Sequence, residues 1–241
     1  MQLIVKPDYD TMSWAAAKIV VNIIRANTKT KLGLATGSSP QGLYGQLVEY
    51  YYERALSFSR VETFNLDEYI GLPHGHPLSY RYFMETNLFK KVNIDIGKTN
   101  FPDVYNADLS EACSNYSRML KENVRDVQIL GLGVNGHIGF NEPGTGIDTK
   151  THVVELQKST ILANSRFFNS IEEVPKTAIT MGIAEILEAE KILLLVDKKT
   201  KHDALIKLLA EGGFDSECPV TALQKHKNLT VICTREAFDG N

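Results

Sequence analysis

The pentapeptide Ile192-Leu193-Leu194-Leu195-Val196 carries no polar residue, and Val127 to Leu132 is apolar but for Gln128. A strand with one face in water alternates apolar and polar residues, whereas a strand covered on both faces has no reason to; such strands lie in parallel sheets packed between layers of helices. These two runs therefore require helices around them, and the chain supplies them. Met12, Ala15, Ala16, Ile19, Val20, Ile23 and Ile24 recur at helical spacing behind Asp10, predicting a helix over Thr11 to Asn27 with Asp10 as its N-cap. Lys31 to Thr36 reads as a short strand. Gly37-Ser38-Ser39-Pro40 interrupts it, and Leu43, Leu47, Val48, Tyr51 and Ala55 restart a helical period, with Ser39 as N-cap and Pro40 at the first helical position. Further helices are predicted over Ser79 to Leu88, Leu109 to Asn123 and Lys199 to Glu211, and further strands over Val61 to Asn65 and Leu229 to Cys233. Strands alternating with helices along the whole length predict a three-layer α/β domain with a mostly parallel central sheet.

A chain of 241 residues can bury a substantial core, and one domain over residues 1–241 accounts for it without a linker or repeat. The net charge is only −3, with basic and acidic residues interspersed, which excludes the electrostatic footprint of a nucleic-acid binder. The apolar stretch in Met-Gln-Leu-Ile-Val-Lys-Pro is too short for a signal peptide, and nowhere do eighteen uncharged apolar residues follow one another. A cytoplasmic protein without a membrane partner is expected. Cys113, Cys218 and Cys233 are far apart and lack Cys-x-x-Cys spacing, so neither a disulfide framework nor a metal site is expected.

In open parallel sheets ligands sit beyond the carboxyl ends of the strands, and four polar loops here each follow a predicted strand at that end. Thr36-Gly37-Ser38-Ser39 offers small hydroxyls and backbone N–H groups at a helix N-terminus, where the dipole suits an anion such as a phosphate monoester; an ordinary helix cap explains the same residues. Asp67 and Glu68 follow the second strand, so at least one carboxylate should reach the strand mouth. Behind Val127 to Leu132 comes Asn135-Gly136-His137-Ile138-Gly139-Phe140-Asn141-Glu142-Pro143-Gly144, a loop with an imidazole, a carboxylate, amides, and glycines that let the backbone turn and approach a ligand. Arg166 and Lys201 could complete an anion clamp, Arg bidentately and Lys as a point charge, although singly each reads more readily as a surface charge, since such residues are mostly exposed.

Leu34-Ala35-Thr36-Gly37-Ser38-Ser39-Pro40, Thr63 to Leu72, Gly136 to Pro143 and Ala163-Asn164-Ser165-Arg166-Phe167-Phe168 together resemble the glucosamine/galactosamine-6-phosphate isomerase family over nearly the whole chain, and the second and third segments resemble its deaminases in particular. The resemblance implies a modified Rossmann-like fold and a cofactor-free, reversible conversion of glucosamine 6-phosphate and water to fructose 6-phosphate and ammonia. It implies that Asp67 takes the C2 proton and returns it to C1. It also implies that His137 works on ring opening with Glu142 beside it, and that Thr36, Gly37, Ser38, Ser39, Arg166 and Lys201 hold the phosphate.

Two departures stand out. Part of the family has an aspartate at the position of Asn135, assisting the histidine; an amide cannot stabilise an imidazolium by charge, so Glu142 is expected to carry that role alone. The hexameric, N-acetylglucosamine 6-phosphate-activated members carry basic contacts where this chain has His152, Val154 and Glu155, which implies a monomer or small homo-oligomer without that activator. Two other functions compete. A 6-phosphogluconolactonase-like hydrolase would need no base at C2, and a non-catalytic sugar-phosphate sensor would resemble regulators that append a DNA-binding module not found here.

Overall fold

A computed structural model describes residues 1–165 and 170–241, without the side chains at 158, 159, 163 and 164. Its strands are β1 (Gln2–Lys6), β2 (Lys31–Leu34), β3 (Glu62–Asn65), β4 (Asp67–Tyr69), β5 (Thr99–Asn100), β6 (Val127–Gly131), β7 (His152–Glu155), β8 (Thr177–Thr180), β9 (Ile192–Val196) and β10 (Leu229–Thr234). Its helices are α1 (Tyr9–Ala26), α2 (Ser38–Tyr52), α3 (Tyr80–Asn87), α4 (Leu109–Glu122), α5 (Lys158–Ser165), α6 (Ile183–Leu187), α7 (His202–Leu209) and α8 (Arg235–Asp239). Among the described residues seven strands form the central sheet in the order β1-β10-β9-β6-β2-β3-β5, each neighbouring pair parallel.

The unbroken apolar run of β9 has its reason in the two cores. Leu193 and Leu195 join the cluster built with Met12, Val20 and Ile24 of α1 and Leu43 and Leu47 of α2. Ile192, Leu194 and Val196 join the opposite cluster, with Leu120 of α4, Ile186 of α6, Leu205 and Leu208 of α7 and Ala237 of α8. All five are fully buried, and burying each leucine contributes about 2 kcal/mol.

Helix starts are where the structure amends the sequence expectation. The N-cap of α1 is Asp8, not Asp10: Asp8 is extended, its Oδ1 accepts from the Thr11 N–H at 2.8 Å, and the Thr11 hydroxyl completes a capping box. Asp10 lies instead in the first turn, where its charge still suits the dipole. Ser39 does not cap α2. The helix starts at Ser38 behind Gly37, whose φ of +96° suits a residue without a Cβ, and no side chain caps it. Beyond Lys199 the chain makes a 3₁₀ turn to Lys201 before α7 begins.

The sequence pattern did not mark three features. β1 pairs with β10 and extends one edge, and β5 closes the other. β4, β8 and β7 form a small antiparallel sheet. That sheet matters, because after β3 the chain leaves the main sheet at Leu66 and enters β4 at Asp67, turning the residues there out over the strand ends. Among the described residues no helix is long and apolar enough to cross a membrane.

Candidate active site

The segments that follow β2, β3, β6 and β9 converge on one cleft of about 520 Å³, lined by Thr36 to Ser39, Asp67, Asn135, His137 and Lys201 of the sequence candidates. Arg166 lies outside the described residues. A second hollow, of about 670 Å³, sits between α4, the 150–153 segment and Glu185 and Glu188, and contains none of these loops.

One end of the cleft is built for an anion. The first N–H groups of α2 have no partner within the helix, and the turn at Gly37 presents them beside the Thr36 and Ser38 side chains. Behind them lies a buried cluster: Lys201 Nζ is 2.5 Å from Asp197 Oδ1 and 2.7 Å from Ser39 Oγ, and the Ser39 hydroxyl donates to Asp197 Oδ1 at 2.8 Å. Burial raises the Asp197 carboxyl, but the charge of Lys201 and the bonds from Lys201 and Ser39 outweigh it and hold the group below its ordinary range. The lysine's position is thus fixed by a carboxylate that sequence reasoning missed, although an acid four residues before Lys201 at a strand end was a usable signal. Lys198 and Thr200 also line the cleft and were missed.

Across from this end sits Asp67, first residue of β4 and in register with Thr180 of β8. It is 5% exposed and faces the cleft, and no hydrogen bond to its carboxylate is present among the described residues. Burial, and then the charge of Glu68, pushes its pKa up to about 8. Glu68 serves the fold instead: its carboxylate accepts the backbone N–H groups of Tyr69 at 2.8 Å, Tyr80 at 2.9 Å and Arg81 at 2.8 Å, tying the start of α3 to β4. Tyr80 and Phe140 form an aromatic wall beside Asp67. Gly139, with φ of +58°, leans against the acid so closely that a Cβ there would lie 3.5 Å from Asp67 Oδ2 and 3.0 Å from Thr180 Oγ1.

The third group is the loop after β6. A Cβ on Gly133 would stand 2.4 Å from the His137 ring, so the imidazole packs directly on that backbone. His137 Nδ1 lies 2.7 Å from Asn135 Oδ1 and 3.3 Å from Glu142 Oε2, which engages this nitrogen and leaves Nε2 as the one for a ligand. The Asn135 amide donates to Glu142 Oε2 at 2.8 Å, and the Thr160 hydroxyl of α5 donates to Glu142 Oε1. Burial raises the Glu142 carboxyl, but His137, Thr160 and Asn135 together hold it below its ordinary value. Glu142 is therefore a carboxylate beside the imidazole, and the neutral Asn135 amide is the nearer acceptor and bridges the two. Thr160 carried no sequence signal, being one hydroxyl among several in an unremarkable helix.

Among the described residues no group of three or more His, Cys, Asp or Glu is arranged to hold a metal ion. The arrangement can bind an anion at one end, exchange a proton with a carbon-bound or oxygen-bound hydrogen through Asp67, and move a second proton through His137.

Residues 8–232 match the family described as glucosamine-6-phosphate isomerases/6-phosphogluconolactonase. The chain is 48% identical over 238 residues to a glucosamine-6-phosphate deaminase of Thermoanaerobacter sp. (strain X514), covering 98% of this chain and 94% of that one. It is 45% identical to that of Clostridium perfringens (strain 13 / Type A), covering 98% of each. Among solved structures, it is similar to a monomeric glucosamine-6-phosphate deaminase described as a missing link of the NagB superfamily, with a TM-score of 0.97 at 40% identity over all of both chains. The 6-phosphogluconolactonase of Trypanosoma brucei is similar with a TM-score of 0.78 at 18% identity, covering 99% and 97%, a likeness of fold.

Proposed function

The chain belongs to the family of glucosamine-6-phosphate isomerases and 6-phosphogluconolactonases, and from that premise we propose that it is a glucosamine-6-phosphate deaminase, converting glucosamine 6-phosphate and water to fructose 6-phosphate and ammonia. The observation that carries the reading is Asp67: a buried carboxylate with no hydrogen-bond donor among the described residues, made more basic by its surroundings, and open to the cleft. Hydrolysis of a lactone needs no base at carbon. Aldose–ketose rearrangement does.

The phosphate docks on the N–H groups at the start of α2, with Lys201 and, from the sequence, Arg166 as counter-charges. His137 Nε2 moves a proton between the anomeric hydroxyl and the ring oxygen, while Asn135 fixes the ring's tautomer and Glu142 stabilises the imidazolium. Once the ring has opened, C1 is an aldehyde and the C2 hydrogen becomes acidic. Asp67 removes it, giving an enol that bears the amino group on C2. The same carboxyl returns the proton to C1 on the same face, leaving a C2 iminium; water adds there and ammonia departs. The aromatic wall and the close backbone of Gly139 keep Asp67 poorly solvated, which is what raises its basicity for this task.

A coupled assay for ammonia from glucosamine 6-phosphate, beside one for loss of 6-phosphogluconolactone, tests the activity directly. Wild type should release ammonia and leave the lactone intact, whereas Asp67→Asn should bind the sugar phosphate without turning it over. Lactone hydrolysis without ammonia would replace this reading with the hydrolase, and sugar-phosphate binding without turnover by wild type would replace it with the sensor. We further propose a monomer with hyperbolic kinetics indifferent to N-acetylglucosamine 6-phosphate. The similar structure at 40% identity is described as monomeric, and Glu155 is exposed where the activated members carry basic contacts. A sigmoidal rate curve straightened by that sugar would overturn it.

A further inference from the structure

We propose that Thr160 is a positioning residue of this site, its hydroxyl on α5 holding Glu142, and through Glu142 the His137 imidazole, in the geometry that opens the sugar ring. The inference rests on the roles given to His137 and Glu142 above. Thr160 is 5% exposed, lines the cleft, and lies eighteen residues from Glu142 in sequence, so its bond joins two separate elements. Glu142 Oε2 is held by Asn135 and His137, both from the same loop as Glu142 itself. Among the described residues Thr160 is the one donor to Oε1. Without it no described residue outside that loop would donate to the carboxylate.

The chemistry of the contact gives it a direction. A threonine inside a helix ordinarily returns its hydroxyl to a carbonyl one turn earlier; here the proton goes to a carboxylate, a stronger, charge-assisted bond that favours the ionised acid. Ionised Glu142 is the form that stabilises a protonated His137. The titratable groups nearest to hand are His137 against Glu142, and Asp67, Tyr80, Lys198 and Lys201 elsewhere around the cleft. Because α5 runs on in sequence toward Arg166, the bond also links the element preceding that basic residue to the ring-opening pair.

Thr160→Val keeps the shape and removes the hydroxyl, and Thr160→Ser keeps the hydroxyl and removes the methyl. In Thr160→Val, kcat for ammonia release should fall about tenfold with KM changed less than about threefold. The Glu142 carboxyl, followed by 13C NMR without substrate, should titrate about one pH unit higher, as loss of one charge-assisted donor implies. Thr160→Ser should stay near wild type in both. A carboxyl titration unmoved in Thr160→Val, or a Thr160→Ser protein as impaired as Thr160→Val, would overturn the proposal and leave packing as the residue's role. The titration needs no turnover, so a wild type that released no ammonia would refute the activity while the spectrum still judged Thr160.

Discussion

Replacing Asp67 by Asn should make the protein more stable at neutral pH while abolishing its turnover. In the folded chain the carboxyl titrates at about 8 against an ordinary 3.8, because burial and then Glu68 disfavour its charge. A folded pKa raised above the unfolded one means that the fold prefers the protonated acid. The group's contribution is complete below pH 4 and drains away as pH climbs from there to about 8. At roughly 1.4 kcal/mol for each tenfold change in proton affinity, about 4 kcal/mol has been lost by pH 7. Asparagine cannot ionise and escapes that loss, but burying its amide costs roughly 1–3 kcal/mol at every pH where it goes without a partner. The net expectation is a variant slightly less stable than wild type near pH 4.5, about 1–3 kcal/mol more stable at pH 7, and further ahead at pH 8.5. Urea unfolding at the three pH values measures the gap, with ammonia release followed on the same samples. A gap that is flat or shrinks with rising pH would refute the buried, unpaired carboxylate and with it the physical basis for the base.

Turnover should show the same group from the other side: kcat/KM for ammonia release should rise with pH, reach half its plateau near 8 and level off about a pH unit above that, since Asp67 must be ionised to accept a proton, and an acid limb confined below pH 6 would assign the base elsewhere. Lys201→Ala leaves Asp197 buried without its cation, so unfolding should show a loss of about 3–5 kcal/mol together with a raised KM; adding Asp197→Asn should recover stability but not KM, and recovery of both would remove Lys201 from the anion site. Gly139→Ala forces a Cβ at φ +58° to 3.0 Å from Thr180 Oγ1 and 3.5 Å from Asp67 Oδ2. It should cost about 1–2 kcal/mol in stability, with the Thr180 hydroxyl giving way by a few tenths of an ångström while Asp67 stays at ordinary contact distance, so kcat should fall less than about tenfold and a larger loss would show that the acid depends on the Thr180 hydroxyl. Glu142→Gln should slow turnover more than Asn135→Ala, because it removes the one negative charge against the imidazole among the described residues whereas the alanine removes a neutral acceptor; equal losses would mean that the 2.7 Å contact between His137 Nδ1 and Asn135 Oδ1 matters as much as charge.

The layered fold could be read from β9 and β6 because burial on both faces leaves a local mark, an apolar run without alternation, and the amphipathic α1 carries the complementary mark. β1, with Ile4, Val5 and Lys6 only partly buried and none of its five residues in the core, is a strand because β10 is beside it, and β5 is two residues long; neither has a pattern of its own to read. Helix starts were misplaced where two residues could cap. Asp8 and Asp10 are both acids, and the choice fell to Thr11, whose hydroxyl can close a box with Asp8. Ser39 looked like a cap for α2, but Asp197 and Lys201, more than 150 residues away, claim its hydroxyl. A capping rule sees only neighbours in sequence, and so does a motif.

The pair Asp67 and Glu68 shows where sequence stops and geometry takes over. Two adjacent acids after a strand offer no way to tell which is the functional one, because successive side chains on a strand point to opposite faces and the register decides which face is the cleft. The register here is set by a strand that sequence reasoning did not find: β4 pairs with β8 so that Asp67 stands beside Thr180 and Glu68 beside Ile179. That pairing turns Asp67 into the cleft, where no donor among the described residues meets it, and Glu68 toward the start of α3, where three N–H groups do. The two carboxyls are then made different by their partners alone. Both are raised by burial, but backbone donors pull Glu68 back while Glu68's own charge pushes Asp67 further up. The hydrogen-bonded acid thus helps make its neighbour more basic, and a one-residue slip of β4 would exchange their surroundings.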